Sequence, residues 1–303
     1  MSFSSDVKKE LVGILPDKPC CRAAQAYGML QFGHAFNARD ISLQTEQAAV
    51  AELYSFLISK ACGTPPPTKE ILRRRTELHA CSYPDTQTRK SILERFGHSV
   101  SDVSVRLNRA NLDCDACARA LLRGAFLSCG AVTNPERDYH LEFSVPYYNL
   151  SRDLLALLRE ESFPAKMTVR NGSYIVYLKE SERIEDCLTY LGASHGALEV
   201  MNAKMVKSIR NETNRRLNCE QANIDKTVAA AGMQMDAVRR IQAAGALSSL
   251  SEQLRELAEL RLNNPDMSLR ELGAALDPPL SRSGVNHRLQ RLIAIADELK
   301  NEN

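Results

Sequence analysis

Toward the C-terminus, Ser281, Arg282, Ser283, Asn286, His287 and Gln290 recur at helical spacing, and Arg288 and Arg291 lie among them. These side chains suit the edges of base pairs. Arg, Asn and Gln can pair bidentately with purines, small hydroxyls and an imidazole fit beside them, and the flanking guanidiniums reach phosphates. No Asp or Glu falls between residues 278 and 296 to repel a phosphate backbone. A second constellation is made of sulfur: Cys20-Cys21 in one place and Cys114-x-x-Cys117 in another. Four thiols brought together could hold a zinc ion. However, the adjacent pair lacks the usual spacer, and nine cysteines is an odd number without framework spacing. The sequence therefore predicts reduced, unbridged thiols, no metal and no cofactor.

The residues around the basic face supply what would position it. Ser268-Leu269-Arg270-Glu271 has the form of a capping box, with Leu269, Leu272 and Leu276 as its apolar stripe. Asp277-Pro278-Pro279-Leu280 must turn the chain, and a second helix follows with Val285, Leu289, Leu292, Ile293 and Ala296 facing inward. Together they predict a helix-turn-helix over about 268–300, whose second helix enters the major groove of double-stranded DNA. The surrounding segment, 219–303, is expected to be all helical, with helices near 220–231, 236–244, 251–263, 268–276 and 282–299. The expected breaks fall at Gly232, Gly245, Asn263-Asn264-Pro265 and Pro278-Pro279.

Charge along the chain agrees with this division. Residues 1–203 carry 24 basic and 24 acidic side chains, so the net +2 of all 303 residues comes from the remainder. Residues 204–218 are predicted to form a basic linker, in which Lys204, Lys207, Arg210, Arg215 and Arg216 face only Glu212 and could add phosphate contacts. Hydrophobic residues at 44% and charged residues at 25% describe an ordinary globular protein of about two domains. No apolar run reaches the length of a membrane span, and residues 1–9 are polar, so a cytoplasmic protein without membrane contact is expected.

Residues 1–203 contain a repeat. Cys21–Phe36 aligns without gaps on Cys117–Val132, each with a mid-helix glycine four residues after an alanine: Ala24 and Gly28, then Ala120 and Gly124. Each copy reads helix, two strands, helix, two strands, helix, over about 20–100 and 114–195. Lys166–Arg170, an Asn171-Gly172 turn and Ser173–Leu178 form the clearest hairpin. The first copy's matching strands, near Leu78–Tyr83, are more polar. A duplicated αββαββα unit, α+β in class, resembles the LAGLIDADG homing endonucleases. In that family the two motif helices each end in a carboxylate that holds a divalent cation. Here the matching positions are Gly33 and Cys129. Glycine offers no ligand and a lone thiolate is a poor donor to magnesium, so the resemblance implies a nuclease scaffold without nuclease chemistry.

A degenerate LAGLIDADG pair ahead of a helix-turn-helix is the arrangement of the bacterial WhiA family, and the stretches match. They include Arg123-Gly124-Ala125-Phe126-Leu127, Asn134-Pro135, Tyr139-His140-Leu141-Glu142, Leu191-Gly192-Ala193, Asn214-Arg215-Arg216-x-Asn218-Cys219 and Ser283-Gly284-Val285-Asn286-His287-Arg288. Departures are Cys114 and Cys117, where adjacent cysteines are common, and Val200-Met201-Asn202, which replaces a more aromatic and acidic stretch. The resemblance implies a sequence-specific, nucleoid-associated regulator that binds promoter DNA. It also implies links to sporulation in actinobacteria and to cell division and chromosome segregation in other Gram-positive bacteria. A WhiB-like iron–sulfur protein is the partner it implies in an actinobacterial host. A protein-interaction scaffold and an active nuclease are the two alternatives.

Overall fold

The computed structural model describes residues 2–73, 76–102 and 104–301. The chain divides into two compact units, Met1–Ser208 and Ile209–Asn303.

In the first unit both copies of the repeat take the predicted order. After a leading helix α1 (Phe3–Val12), the first copy runs α2 (Pro19–Gln31), β1 (Ala35–Phe36), β2 (Ile41–Thr45), α3 (Ala48–Cys62), β3 (Thr68–Arg73), β4 (Thr76–Ser82), α4 (Thr86–Arg95). The second runs α5 (Asp115–Cys129), β5 (Gly130–Val132), β6 (Leu141–Val145), α6 (Tyr148–Glu160), β7 (Lys166–Arg170), β8 (Ser173–Leu178), α7 (Ser181–Leu191). Each copy builds one antiparallel sheet, ordered β1-β2-β4-β3 and β5-β6-β8-β7. The Asn171-Gly172 hairpin forms where predicted, with both residues at positive φ, as a tight turn between right-twisted strands requires.

The two mid-helix glycines meet. A Cβ on Gly28 would lie 2.2 Å from the carbonyl oxygen of Leu121, and one on Gly124 would lie 2.3 Å from that of Gln25. Only glycine permits such an approach of two backbones. Gly28 faces Leu121 and Ala125, and Gly124 faces Gln25 and Met29; Cys21 meets Cys117 at one end and Ser128 donates to the Met29 carbonyl at the other, so α2 and α5 run side by side in the same direction. Their buried faces, including Ala24, Tyr27, Leu121 and Phe126, form the middle of the core. Glu10 of α1 accepts from the backbone N–H groups of His195 and Gly196 at 2.7 and 3.0 Å, capping the start of helix α8 (Ser194–Ala243).

Helix α8 corrects the predicted organisation. Residues 204–218 are helical, with the boundary between the two units falling inside them, and Gly232 does not break the helix. One glycine costs about 1 kcal/mol, and here it is flanked by Ala229-Ala230-Ala231 and Met233-Gln234-Met235, which favour helix. The second unit continues with α9 (Glu252–Asn263), α10 (Leu269–Ala274) and α11 (Arg282–Asn301). These pack on the last turns of α8 through Ala237, Val238, Ile241, Leu257, Leu272, Val285, Leu289 and Leu292. Among the described residues no helix is long and apolar enough to cross a membrane.

Candidate nucleic-acid interface

Local chemistry fixes the start of each helix in the helix-turn-helix. Ser268 accepts from the Glu271 amide at 3.3 Å, and the Glu271 carboxylate accepts from the Ser268 amide at 2.7 Å, completing the capping box. The carboxyl of Glu271 is held below the usual range by those bonds. The turn then folds back closely: the Leu280 amide donates to the Gly273 carbonyl at 2.9 Å, and a Cβ on Gly273 would sit 2.3 Å from the Leu280 carbonyl oxygen. Ser281 caps α11 by accepting from the Gly284 amide.

With Val285, Leu289, Leu292 and Ala296 buried and Ile293 half-buried, the opposite face of α11 is free. Ser281, Arg282, Ser283, Asn286, His287, Gln290 and Arg291 are exposed there, as predicted, while Arg288 is half-buried and donates to Gln253 at 2.9 Å. Arg282, Asn286 and Gln290 line one wall of a groove of about 520 Å³. Lys226, Thr227, Ala230 and Gln234 of α8, Arg261 of α9, and Met267 also line it. Four cations, Lys226, Arg261, Arg270 and Arg282, line this groove, and no carboxylate does among the described residues. Gln234 is buried and its side-chain oxygen has no partner. Sequence reading missed Lys226 because its place at the groove depends on α8 running unbroken past Gly232, and Arg261 and Arg270 because they come from α9 and α10 and meet α11 only through tertiary packing. The only signal for the unbroken helix was the alanine run that keeps Gly232 helical.

The five basic residues of 204–218 behave differently from one another. Lys204 pairs with Glu182 at 2.9 Å, and Lys207 lies 4.4 Å from the ring centre of Tyr139. Arg210, Arg215 and Arg216 are exposed, with Arg216 3.8 Å from Glu220. The structure therefore leaves the arginines, rather than the lysines, facing solvent.

Comparison with known proteins bears on both units. A model of the WhiA C-terminal HTH domain matches residues 213–296, and one of the WhiA LAGLIDADG-like domain matches residues 118–210. A probable cell division protein WhiA of Clostridium botulinum is 38% identical over 269 residues, covering 86% of this chain and 85% of the relative. Its counterpart in Heliobacterium modesticaldum is 38% identical over 309 residues, covering 98% and 96%. The chain belongs to the WhiA family. The crystal structure of full-length WhiA from Thermotoga maritima shares its fold, with a TM-score of 0.55, 23% identity and coverage of 98% and 99%.

The WhiA LAGLIDADG-like unit lacks acids where its two motif helices end. A Cβ on Gly33 would lie 2.9 Å from the Ser42 carbonyl oxygen and 3.0 Å from that of Met29, so an aspartate does not fit there without movement. Burial pushes the Cys129 thiol up to about 12, which keeps it neutral. The leading helix, absent from the sequence reading, packs over this end: the Val132 amide donates to Ser4, and Phe3, Val7 and Leu11 enter the core. Lys8 lies close enough to Cys129 and Glu46 to interact with both; its ammonium is lowered by burial and partly restored by those two groups. A cation therefore sits beside one of the positions where a divalent ion would need carboxylates.

Proposed function

We propose that this chain is a sequence-specific regulator that binds double-stranded promoter DNA through α11 and has no nuclease activity. It acts in the cytoplasm on the nucleoid, in cell division and chromosome segregation, or in sporulation where the host sporulates. The observation that carries this is the exposed face of α11 over 282–296, which has no acid and whose Arg282, Asn286 and Gln290 line a groove holding three further cations. Arg282 and Asn286 are the side chains to read bases, and Lys226, Arg270 and Arg291 those to hold phosphates. Cell division as the setting rests on the name its relatives carry.

Genome-fragment capture and sequencing with the full chain tests it. Discrete sites should be enriched, Arg282→Ala or Asn286→Ala should each weaken binding by roughly 1–3 kcal/mol at unchanged helical content, and Lys226→Ala should weaken all sequences alike. Mutants that enrich the same sites as strongly as the parent refute the assignment of α11. Plasmid should stay uncut with magnesium or manganese.

The first unit is read as a platform for protein rather than for DNA. Its charges balance over 1–203, and Glu142 on β6 already engages His140 and Arg170. A WhiB-like protein is the partner to test in an actinobacterial host, and its recovery in a pull-down should survive nuclease treatment.

A further inference from the structure

The four cysteines that sequence reading left as separate thiols converge on one point. Cys114 Sγ lies 3.7 Å from that of Cys20, 3.5 Å from that of Cys21 and 3.5 Å from that of Cys117, and Cys21 and Cys117 are 3.8 Å apart. All four sulfurs fall within 4.8 Å of one another, and all are free thiols. Four thiolates around one tetrahedral ion at about 2.3 Å stand about 3.8 Å apart. We propose that Cys20, Cys21, Cys114 and Cys117 hold one zinc ion.

The elements explain why the spacer rule failed here. Cys20 and Cys21 occupy the first turn of α2 behind Pro19, and Cys114 is the N-cap of α5 with Cys117 in its first turn. Neighbours on a helix point about 100° apart, so an adjacent pair can hold two corners of a tetrahedron when a second helix start supplies the others. Cys21 and Cys117 stand at matching positions of the repeat, each seven residues before the glycine at the contact of α2 and α5. The repeat therefore places one sulfur symmetrically at the start of each helix, and Cys20 and Cys114, which match Ala116 and Lys18 in the other copy, add the other two.

Charge supports the assignment. Four thiolates and Zn²⁺ form a dianion, releasing four protons from four neutral thiols. Two helix N-termini face it, and their dipoles favour negative charge. Arg123, only 6% exposed, donates to the Leu191 carbonyl at 2.6 Å and has no carboxylate in ion-pair contact among the described residues, while Cys21 is within electrostatic reach. A dianionic centre would answer that buried cation. An iron–sulfur cluster would need the sulfurs spread around several metal atoms, farther apart than here. Of the single ions that accept four thiolates, zinc binds more tightly than ferrous iron.

The ion would clamp together chain segments 94 residues apart and so tie the two halves of the repeat. Full-length protein purified under reducing conditions without a metal-affinity step should contain about one zinc per chain by elemental mass spectrometry. Cys114→Ser and Cys117→Ser should lose it, whereas Cys62→Ser, away from the cluster, should keep it. To separate loss of a ligand from misfolding, the parent chain reconstituted with Co²⁺ should show the intense d–d and charge-transfer absorption of tetrahedral cobalt tetrathiolate, and added zinc should abolish it. The proposal is overturned by protein without zinc whose four thiols titrate freely and which gives only octahedral cobalt spectra. One equivalent of iron in place of zinc, or a disulfide among these four residues in protein taken from reducing cytoplasm, overturns it equally.

Discussion

A single methyl group added at two different glycines should change stability in opposite directions. At Gly28 an added Cβ would come within 2.2 Å of the Leu121 carbonyl oxygen and 3.1 Å of the Ala125 amide nitrogen, both backbone atoms that cannot rotate away. Helices α2 and α5 would have to part by roughly 1 Å, a gap that forfeits a quarter to a half of each contact's attraction along the interface. Overpacking of this kind costs up to about 3 kcal/mol, from which about 1 kcal/mol of better helix propensity must be subtracted. The net loss for Gly28→Ala is about 2 kcal/mol, or a fall of about 4–8 °C for a unit of this size. At Gly232 nothing lies within 4 Å of the added atom, so Gly232→Ala should gain about 1 kcal/mol.

The sequence supplies a probe that distinguishes the two. There is no tryptophan, and the nine tyrosines run from Tyr27 to Tyr190, all within the first unit. Tyrosine fluorescence therefore follows the first unit alone, while far-ultraviolet circular dichroism follows both. Gly28→Ala should lower the fluorescence midpoint, and Gly232→Ala should leave it unchanged while raising the later or separate helical transition. A Gly28→Ala protein that melts by fluorescence like the parent would show that the helices do not approach as closely as described.

Two further outcomes can be checked. Burial pushes the Glu142 carboxyl up, but hydrogen bonds and charge from Arg170 and His140 more than offset this and hold it below the usual range. A depressed pKa gives stability that is present above the ordinary carboxylate value and lost as pH falls through the lowered one. Glu142→Gln should thus lower the fluorescence midpoint at pH 7, with the difference from the parent closing in acid below about pH 4; a constant gap would refute it. The double change Gly33→Asp with Cys129→Asp should not create metal-dependent cutting of plasmid, because position 33 lacks room and Lys8 stands near position 129. Cleavage that requires magnesium would refute that reading.

What was legible in the sequence was what local rules determine. The capping box at Ser268, the hairpin at Asn171-Gly172 and the inward stripe of α11 each depend on residues a few positions apart. The repeat was legible because two copies report the same constraint, and the glycine that each copy places mid-helix makes sense only against the other. Helix α8 was not. Its residues from 208 to 229 are all exposed, including Ile209, Leu217, Ile224 and Val228, so no one-sided apolar stripe marks it as continuous. The wall of the α11 groove was lost with it. The sulfur cluster was hidden for a different reason: Cys20 and Cys114 become neighbours only once α2 and α5 lie parallel, and spacing rules drawn from single loops do not describe two helix starts.

That parallel packing gives the helix pair two unlike ends. From Cys21 to Gly33 is twelve residues, about 18 Å of helix. An active endonuclease would gather carboxylates and metal at the far end, and those charges would repel one another unless the ion were bound. Here that end has no acids at Gly33 and Cys129, α1 packs over it, and Lys8, itself close to Glu46, brings a cation beside position 129. With nothing at that end requiring an ion, the pair can be held by the glycine contact at its middle and by the sulfurs at its start. A helix pair fixed in this way keeps two antiparallel sheets in a constant relation, as the platform role proposed above requires.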